Sequence, residues 1–318
     1  INDVPKTWDE LFEVGKKLTQ INDSDSESSI YALNIGSDSY SSWTSRPFYL
    51  SMNSNALHYD INENKWKATF NDKGAVRATD YYLSLLQKPW TDISGKIRYG
   101  VGHKGDGWVK FHQGKLAIVF LTSSDLLMNS NLWIQSKTYD EIGIAKIPSS
   151  PLGLSISELY GMNLGISSSI KDPLVLDACW KFIRFMGSTE AKKIAVDTYV
   201  ENGFGRYVLP QVLEKFGYNE LIDKVPDDWA EAVTHSLNNH ELEPYGKNTQ
   251  HIYKYMDVPI SKGYMDQIGK NPNEEERLSK LQEYHDFAVA KSNEKMIGRI
   301  PADEIGKRYP IAIVLSMM

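Results

Sequence analysis

The stretch FHQGKLAIVFLTSSDLL, residues 111–127, constrains the fold more than any other. A Gly-Lys pair opens an unbroken apolar run, Leu116 to Leu121, which breaks at once into Thr122-Ser123-Ser124-Asp125. A strand with one wet face alternates apolar and polar residues, whereas an unbroken run is the pattern of a strand covered by helices on both faces. The run therefore predicts a central strand of a parallel sheet in an α/β protein. Ligands of open α/β sheets sit beyond the carboxyl ends of such strands. The polar turn 122–125 is the first place to look for a site.

The rest of the chain is punctuated accordingly. Thr7 followed by Glu10 forms a capping box for a helix to about Leu18, its apolar face made by Leu11, Phe12, Val14 and Leu18. IYALNIG predicts a strand ending at Gly36, ALHYDINENKWKATF a hairpin, DKGAVRATDYYLSLLQK a helix, and EIGIAKIPSSP and LYGMNLGISSSI further strands. KDPLVLDACWKFIRFMGSTEAKKIAVD reads as two helices, with Ala178, Phe182, Phe185 and Met186 facing inward and Ser188 capping the second. Two long helices follow, in NTQHIYKYMDVPISKGYMDQI and NEEERLSKLQEYHDFAVAKSNEKMIG. No period of 20 to 50 residues recurs, which argues against a repeat fold.

Several function classes fall away on composition and spacing. At 318 residues with 41% hydrophobic and 24% charged, the chain has room for two domains and a sizeable core. A net charge of -6 with acids and bases interspersed offers no basic stripe for nucleic acid. The single cysteine, Cys179, excludes an intrachain disulfide and a thiolate zinc site, and its place in an apolar helix predicts a buried, inert thiol. The glycines from Gly95 to Gly107 lack the spacing of a phosphate loop. Seven scattered histidines form no HExxH, and no Gly-x-Ser-x-Gly elbow occurs, so neither a metal nor a cofactor is expected. The start at Ile1 reads as a fragment or processed product. GKRYPIAIVLSMM, at the other end, reads as an apolar tail that packs or as the start of a membrane segment cut short.

PKTWDEL, FHQGKLAIVF, GISSSIKDPLVLDACWKFIRFMGSTEAKK and NEEERLSKLQEYHDFAVAKSNEK, in this order between Pro5 and about Lys295, resemble the carbohydrate-binding lipoproteins and periplasmic proteins that feed ABC importers, the maltose-binding-like solute-binding family. The resemblance implies a periplasmic-binding-protein-like type II fold: two helix-rich α/β lobes joined by crossing strands. The first lobe would be incomplete here. Residues 1–137 would begin the second lobe, 138–197 would return to the first, 198–298 would supply second-lobe helices, and 299–318 would be a tail. It also implies an extracytoplasmic protein at the cell surface or in the periplasm, held at the membrane by a lipid anchor or a C-terminal segment. Its partners would be a sugar or oligosaccharide and the transmembrane subunits of an ABC permease. Where the family pattern carries Gly-Ser-Trp or Gly-Pro-Trp after Phe-x-x-Gly-Lys, this chain has Leu121-Thr122-Ser123, so that stacking tryptophan is missing.

Sugar recognition needs a flat apolar surface for the C–H face and a few directed polar groups for the hydroxyls. Tyr40 and Trp43, in the serine-rich DSYSSWTS with no core pattern around them, supply the first. Ser124 and Asp125 supply hydroxyl and carboxylate partners, with an N-cap for DLLMN as the competing role of Asp125. Tyr160 and Asn163 stand where the family presents aromatic residues to its cleft, and Arg206 follows a Gly-Phe-Gly segment that often approaches ligand. Tyr253 lies in the aromatic cluster with Tyr245, His251 and Tyr255, where helical spacing also fits plain packing. Two alternatives stay open. An amino-acid or peptide receptor on the same architecture would use Arg46 or Arg206 to clamp a carboxylate, and a carbohydrate-active enzyme would hide two carboxylates anywhere in the chain.

Overall fold

The computed structural model describes residues 4–36, 41–104, 107–120, 143–160, 164–244, 246, 249 and 251–297. The chain divides into two compact units. Unit 1 comprises Ile1–Thr122, Ile147–Glu158 and His240–Met318, and unit 2 comprises Ser123–Lys146 and Leu159–Asn239. Residues 198–239 group with unit 2. The expected tail, 299–318, lies outside the described residues. No described helix is long and apolar enough to cross a membrane.

Unit 1 opens with α1 (Trp8–Leu18). The Thr7 hydroxyl accepts from the Glu10 amide at 3.2 Å, while the Glu10 carboxylate accepts from the Lys6 amide at 2.7 Å, so the reciprocal bond of the capping box lands one residue early. β1 (Tyr31–Asn34) is the middle of a three-stranded parallel sheet between β6 (Gly102–His103) and β7 (Leu116–Ile118). Tyr31 stands opposite Leu116, and Leu33 opposite both Ile118 and Gly102. The parallel pairing follows the sequence, but β7, expected as the central strand, pairs only with β1 among the described residues. The reason is visible in burial: Ala32 and Leu33 of β1 are both fully buried, whereas Ala117 of β7 is exposed. YALN, rather than LAI of β7, is the strand covered on both faces.

The hairpin of β2 (Leu57–Asp60) and β3 (Lys65–Ala68) forms as expected. The glycine-rich stretch builds a second hairpin, β4 (Pro89–Thr91) with β5 (Ile97–Tyr99), followed by α4 (Gly107–His112). EIGIAKIPSSP yields no strand in its described part, only a backbone bridge from Ser149 to Thr7. The core is made by α2 (Ser41–Ser51), α3 (Lys73–Gln87), α9 (Ile252–Met265) and α10 (Glu274–Ile297), whose apolar residues join Trp8, Phe12 and the sheet in one cluster. α2 departs from expectation. DSYSSWTS shows no core pattern in the sequence, yet its Ser41, Ser42 and Ser45 are fully buried, as are Phe48, Tyr49 and Ser51 further along the helix. Small serine side chains let α2 approach its neighbours closely, which a polarity-based reading misses.

β8 (Ser157–Leu159) pairs with β9 (His240–Leu242), and the chain passes into unit 2 after Glu158 and returns at His240. Unit 2 holds α5 (Pro173–Met186), α6 (Thr189–Glu201), α7 (Pro210–Phe216) and α8 (Asp227–Asn238). Asp172 caps α5 through the Leu174 amide, and Ser188 caps α6 through the Ala191 amide. The inward face expected for α5 is not found: Ala178, Phe182, Phe185 and Met186 are exposed and Cys179 is only partly buried. Spacing fixes which side of a helix is apolar, but burial needs a partner, and α5 has almost none among the described residues.

Candidate ligand-binding site

Two of the expected residues meet in unit 1. Trp43 on α2 and Tyr253 on α9 stack nearly parallel, with ring centroids 4.6 Å apart and planes 7° apart. Trp43 is 42% exposed, so the pair presents aromatic surface to solvent on a side chain that is braced from behind. The bracing is polar and buried. The Tyr253 hydroxyl donates to Glu158 Oε1 at 3.0 Å, and Arg46 Nε donates to the same oxygen at 2.8 Å. Arg46 follows Trp43 by one helical turn, and its side chain is 2% exposed, that of Glu158 7%.

Electrostatically, burial pushes the Glu158 carboxyl above its ordinary range, against the pull of Arg46 and the Tyr253 hydroxyl. Burial and then the nearby Glu158 charge drive the Tyr253 phenol far above its usual value, so it stays a neutral donor. One turn along α9, Asp257 accepts from Ser41 Oγ at 2.9 Å and from the Ser42 amide at 2.7 Å. That carboxylate satisfies a free N–H in the first turn of α2, where the helix dipole also favours negative charge. α2 is thus pinned to α9 at its start by Asp257, and through Tyr253, Glu158 and Arg46 a turn later. Arg46 Nη1 and Ser42 Oγ are buried without a hydrogen-bond partner among the described residues.

Tyr160 and Arg206 belong to unit 2, with Tyr160 39% exposed and the Arg206 guanidinium 5.6 Å from the Tyr207 ring centre. Tyr40, Ser124, Asp125 and Asn163 lie outside the described residues. Arg46, weighed as a carboxylate clamp, is engaged by Glu158. Sequence reasoning missed Glu158 and Asp257 altogether. Glu158 carries no local signal, since its partner Arg46 is 112 residues away. Asp257 could have been found from its spacing, four residues after Tyr253 on the same helix face. Among the described residues no group of three or more His, Cys, Asp or Glu could hold a metal ion.

The sequence profile of the bacterial extracellular solute-binding proteins matches residues 1–193. The chain belongs to that family. No curated protein matches it by sequence. Solved structures of similar fold include an ABC transporter solute-binding protein from Thermotoga lettingae bound with α-D-tagatose, at TM-score 0.63 and 16% identity over 93% of this chain and 66% of that one. The maltose/maltodextrin-binding domain from Bdellovibrio bacteriovorus, bound to maltotriose, aligns at TM-score 0.56 and 16% identity, covering 92% of this chain and 67% of that one. UgpB from Mycobacterium tuberculosis, in complex with glycerophosphocholine, aligns at 0.53 and 16%, covering 92% and 64%. At such identity the likeness speaks to fold alone: this is the helix-rich α/β fold of periplasmic solute-binding proteins. The chain spans about two thirds of the length of these neighbours.

Proposed function

We propose that this chain is part of the extracytoplasmic substrate-binding component of an ABC importer. It binds a sugar or oligosaccharide in a cleft between two lobes and delivers it to the permease subunits in the membrane, without chemistry or cofactor of its own. Membrane attachment through a lipid anchor or a C-terminal segment belongs to the same reading. The observation that carries it is the Trp43–Tyr253 platform, an exposed ring on a rigid backing of Glu158 and Arg46. Such a surface suits the apolar face of a pyranose, and the backing holds it in place before ligand arrives. Two of the neighbours above hold sugars. Tyr40, Ser124, Asp125, Tyr160, Asn163 and Arg206 are the remaining proposed contacts. Closure follows as a population shift, because only the closed state lets one ligand touch both lobes.

A thermal-shift screen tests the assignment, since a ligand of the folded state at about 100 times its Kd stabilises by about 2.7 kcal/mol. Tagatose, maltose and maltotriose are compared with glycerophosphocholine and with mixed amino acids and short peptides. A rise in melting temperature with at least one sugar is expected. A rise with amino acids or peptides alone ends the sugar assignment, and release of new reducing ends from an oligosaccharide ends the non-enzymatic one. Trp43→Ala is expected to weaken the sugar complex by about 1 kcal/mol or more, some fivefold in Kd, for the loss of one stacking face. Unchanged affinity in titration calorimetry would remove Trp43 from the site.

A further inference from the structure

We propose that Glu158 is a positioning residue that couples the Trp43–Tyr253 platform to the strand by which the chain leaves unit 1, so that a solute seated on the platform sets the bend made just past Glu158. The proposal rests on the reading of that platform as the sugar-binding surface. Residues 147–158 belong to unit 1, and the chain enters unit 2 at Leu159. This segment is fastened along α2. Ser150 Oγ donates to the Ser51 carbonyl at 2.6 Å, the Ile156 amide donates to Ser51 Oγ at 3.0 Å, and Arg46 Nε donates to Glu158 Oε1 at 2.8 Å. Cover falls away immediately afterwards: the Glu158 side chain is 7% exposed, whereas Leu159 and Tyr160, the next two residues, are 36% and 39% exposed. A bend therefore belongs after Glu158 rather than before it.

One oxygen carries the coupling. Glu158 Oε1 accepts from Arg46 on α2, one turn past Trp43, and from the hydroxyl of Tyr253 on α9, which is itself the second ring of the platform. Two donors from two helices triangulate that oxygen, and hydrogen bonds weaken steeply once stretched or bent, so β8 cannot turn at Glu158 without losing one of them. Such a contact is made or lost rather than deformed by degrees, which is what lets a small shift at the platform be felt along the strand. Holding the two helices together does not require the link, because Asp257 already pins the start of α2 to α9 through Ser41 and the Ser42 amide. What Glu158 adds is a third segment, gripped at its last residue before unit 2. The returning chain acts on the same pair. Beside burial, the main cause, the charge of Glu243 directly after β9 also pushes the Glu158 carboxyl and the Tyr253 phenol up.

Hydrogen exchange read by mass spectrometry tests it, with Tyr253→Phe, which keeps a stacking ring beside Trp43 and removes only the hydroxyl. Without sugar, exchange at residues 156–160 should quicken roughly tenfold in the variant, the scale of one lost bond to a carboxylate, while α3 and α10 exchange as in the parent. Unchanged exchange at 156–160 overturns the proposal. So does quickening spread evenly over unit 1, which would make Glu158 a structural brace alone. With tagatose, maltose or maltotriose, whichever raises the melting temperature, the parent should gain protection both at 41–51 and at 156–160. The variant, brought to equal occupancy, should gain it at 41–51 and lose it at 156–160. Protection at both places in the variant overturns the proposal, and so does loss of binding, which would mean that the hydroxyl serves the solute directly. If no sugar binds the parent, the sugar reading fails, and the exchange measured without sugar still decides whether Glu158 couples platform and strand.

Discussion

Glu158→Ala is expected to destabilise unit 1 by about 3–5 kcal/mol, the range for a buried ion pair broken by removal of one partner. For a domain of some two hundred residues that is a fall of roughly 10 °C in melting temperature. The mechanism is specific to which partner is removed. Arg46 is 1% exposed, so without Glu158 its guanidinium is left buried without its carboxylate partner and with one nitrogen already lacking a hydrogen bond. Glu158, by contrast, is already poised towards its neutral form by burial, so Arg46→Met leaves a carboxyl that protonates rather than a stranded charge. Arg46→Met should therefore cost less than Glu158→Ala. The double variant Arg46→Met, Glu158→Leu should recover most of the loss, because an apolar pair of similar volume often replaces a buried ion pair at little cost. Urea unfolding of the four proteins checks this. A Glu158→Ala loss under about 1 kcal/mol, or a double variant no more stable than Glu158→Ala, would mean that the pair does not hold the platform.

This pair also shows where the sequence stops being legible. Elements whose cause is local were readable: the Thr7 cap of α1, the hairpin 57–68 and the Ser188 cap of α6 all rest on residues a few positions apart. Trp43 was legible as an aromatic among serines and Tyr253 as one of an aromatic cluster, but not as partners of each other, since 210 positions separate them. Their support was hidden. Glu158 looks like any surface glutamate, and Asp257 does its work on the end of another helix. The two largest misreadings share a physical cause. Serines around Trp43 show no core pattern in the sequence because they are polar, yet their small size suits a crowded helix junction, where they are buried. Spacing in α5 predicts an inward apolar face, but burial depends on a neighbour, and among the described residues none buries that face. Pattern records what a side chain can tolerate, and only the packed structure says whether that tolerance is used.

The same dependence on distant partners makes the core sensitive to acid. His285 on α10 is fully buried, with Nδ1 2.6 Å from the Phe70 carbonyl and Nε2 2.9 Å from Thr79 Oγ1. A carbonyl only accepts, so Nδ1 carries the proton and Nε2 accepts from the Thr79 hydroxyl, whose oxygen in turn lies 2.6 Å from the Tyr49 hydroxyl and accepts from it. A second proton on Nε2 would face the Thr79 donor and would bury a charge. Burial pushes the imidazole down from 6.5 to about 4, against the pull of the Phe70 carbonyl. The sign follows from proton counting. Between about pH 4 and pH 6.5 the unfolded chain binds a proton that the folded chain refuses, so stability rises with pH through that window and is fully present above it. The whole shift corresponds to about 3 kcal/mol, of which about 2 kcal/mol is lost on going from pH 7.5 to pH 5. Urea midpoints across this range should therefore fall in acid, and fall less for His285→Gln, whose amide donates to Phe70 and accepts from Thr79 without titrating. Parallel stability curves for the two proteins would show that His285 is not the group that opens the core to acid.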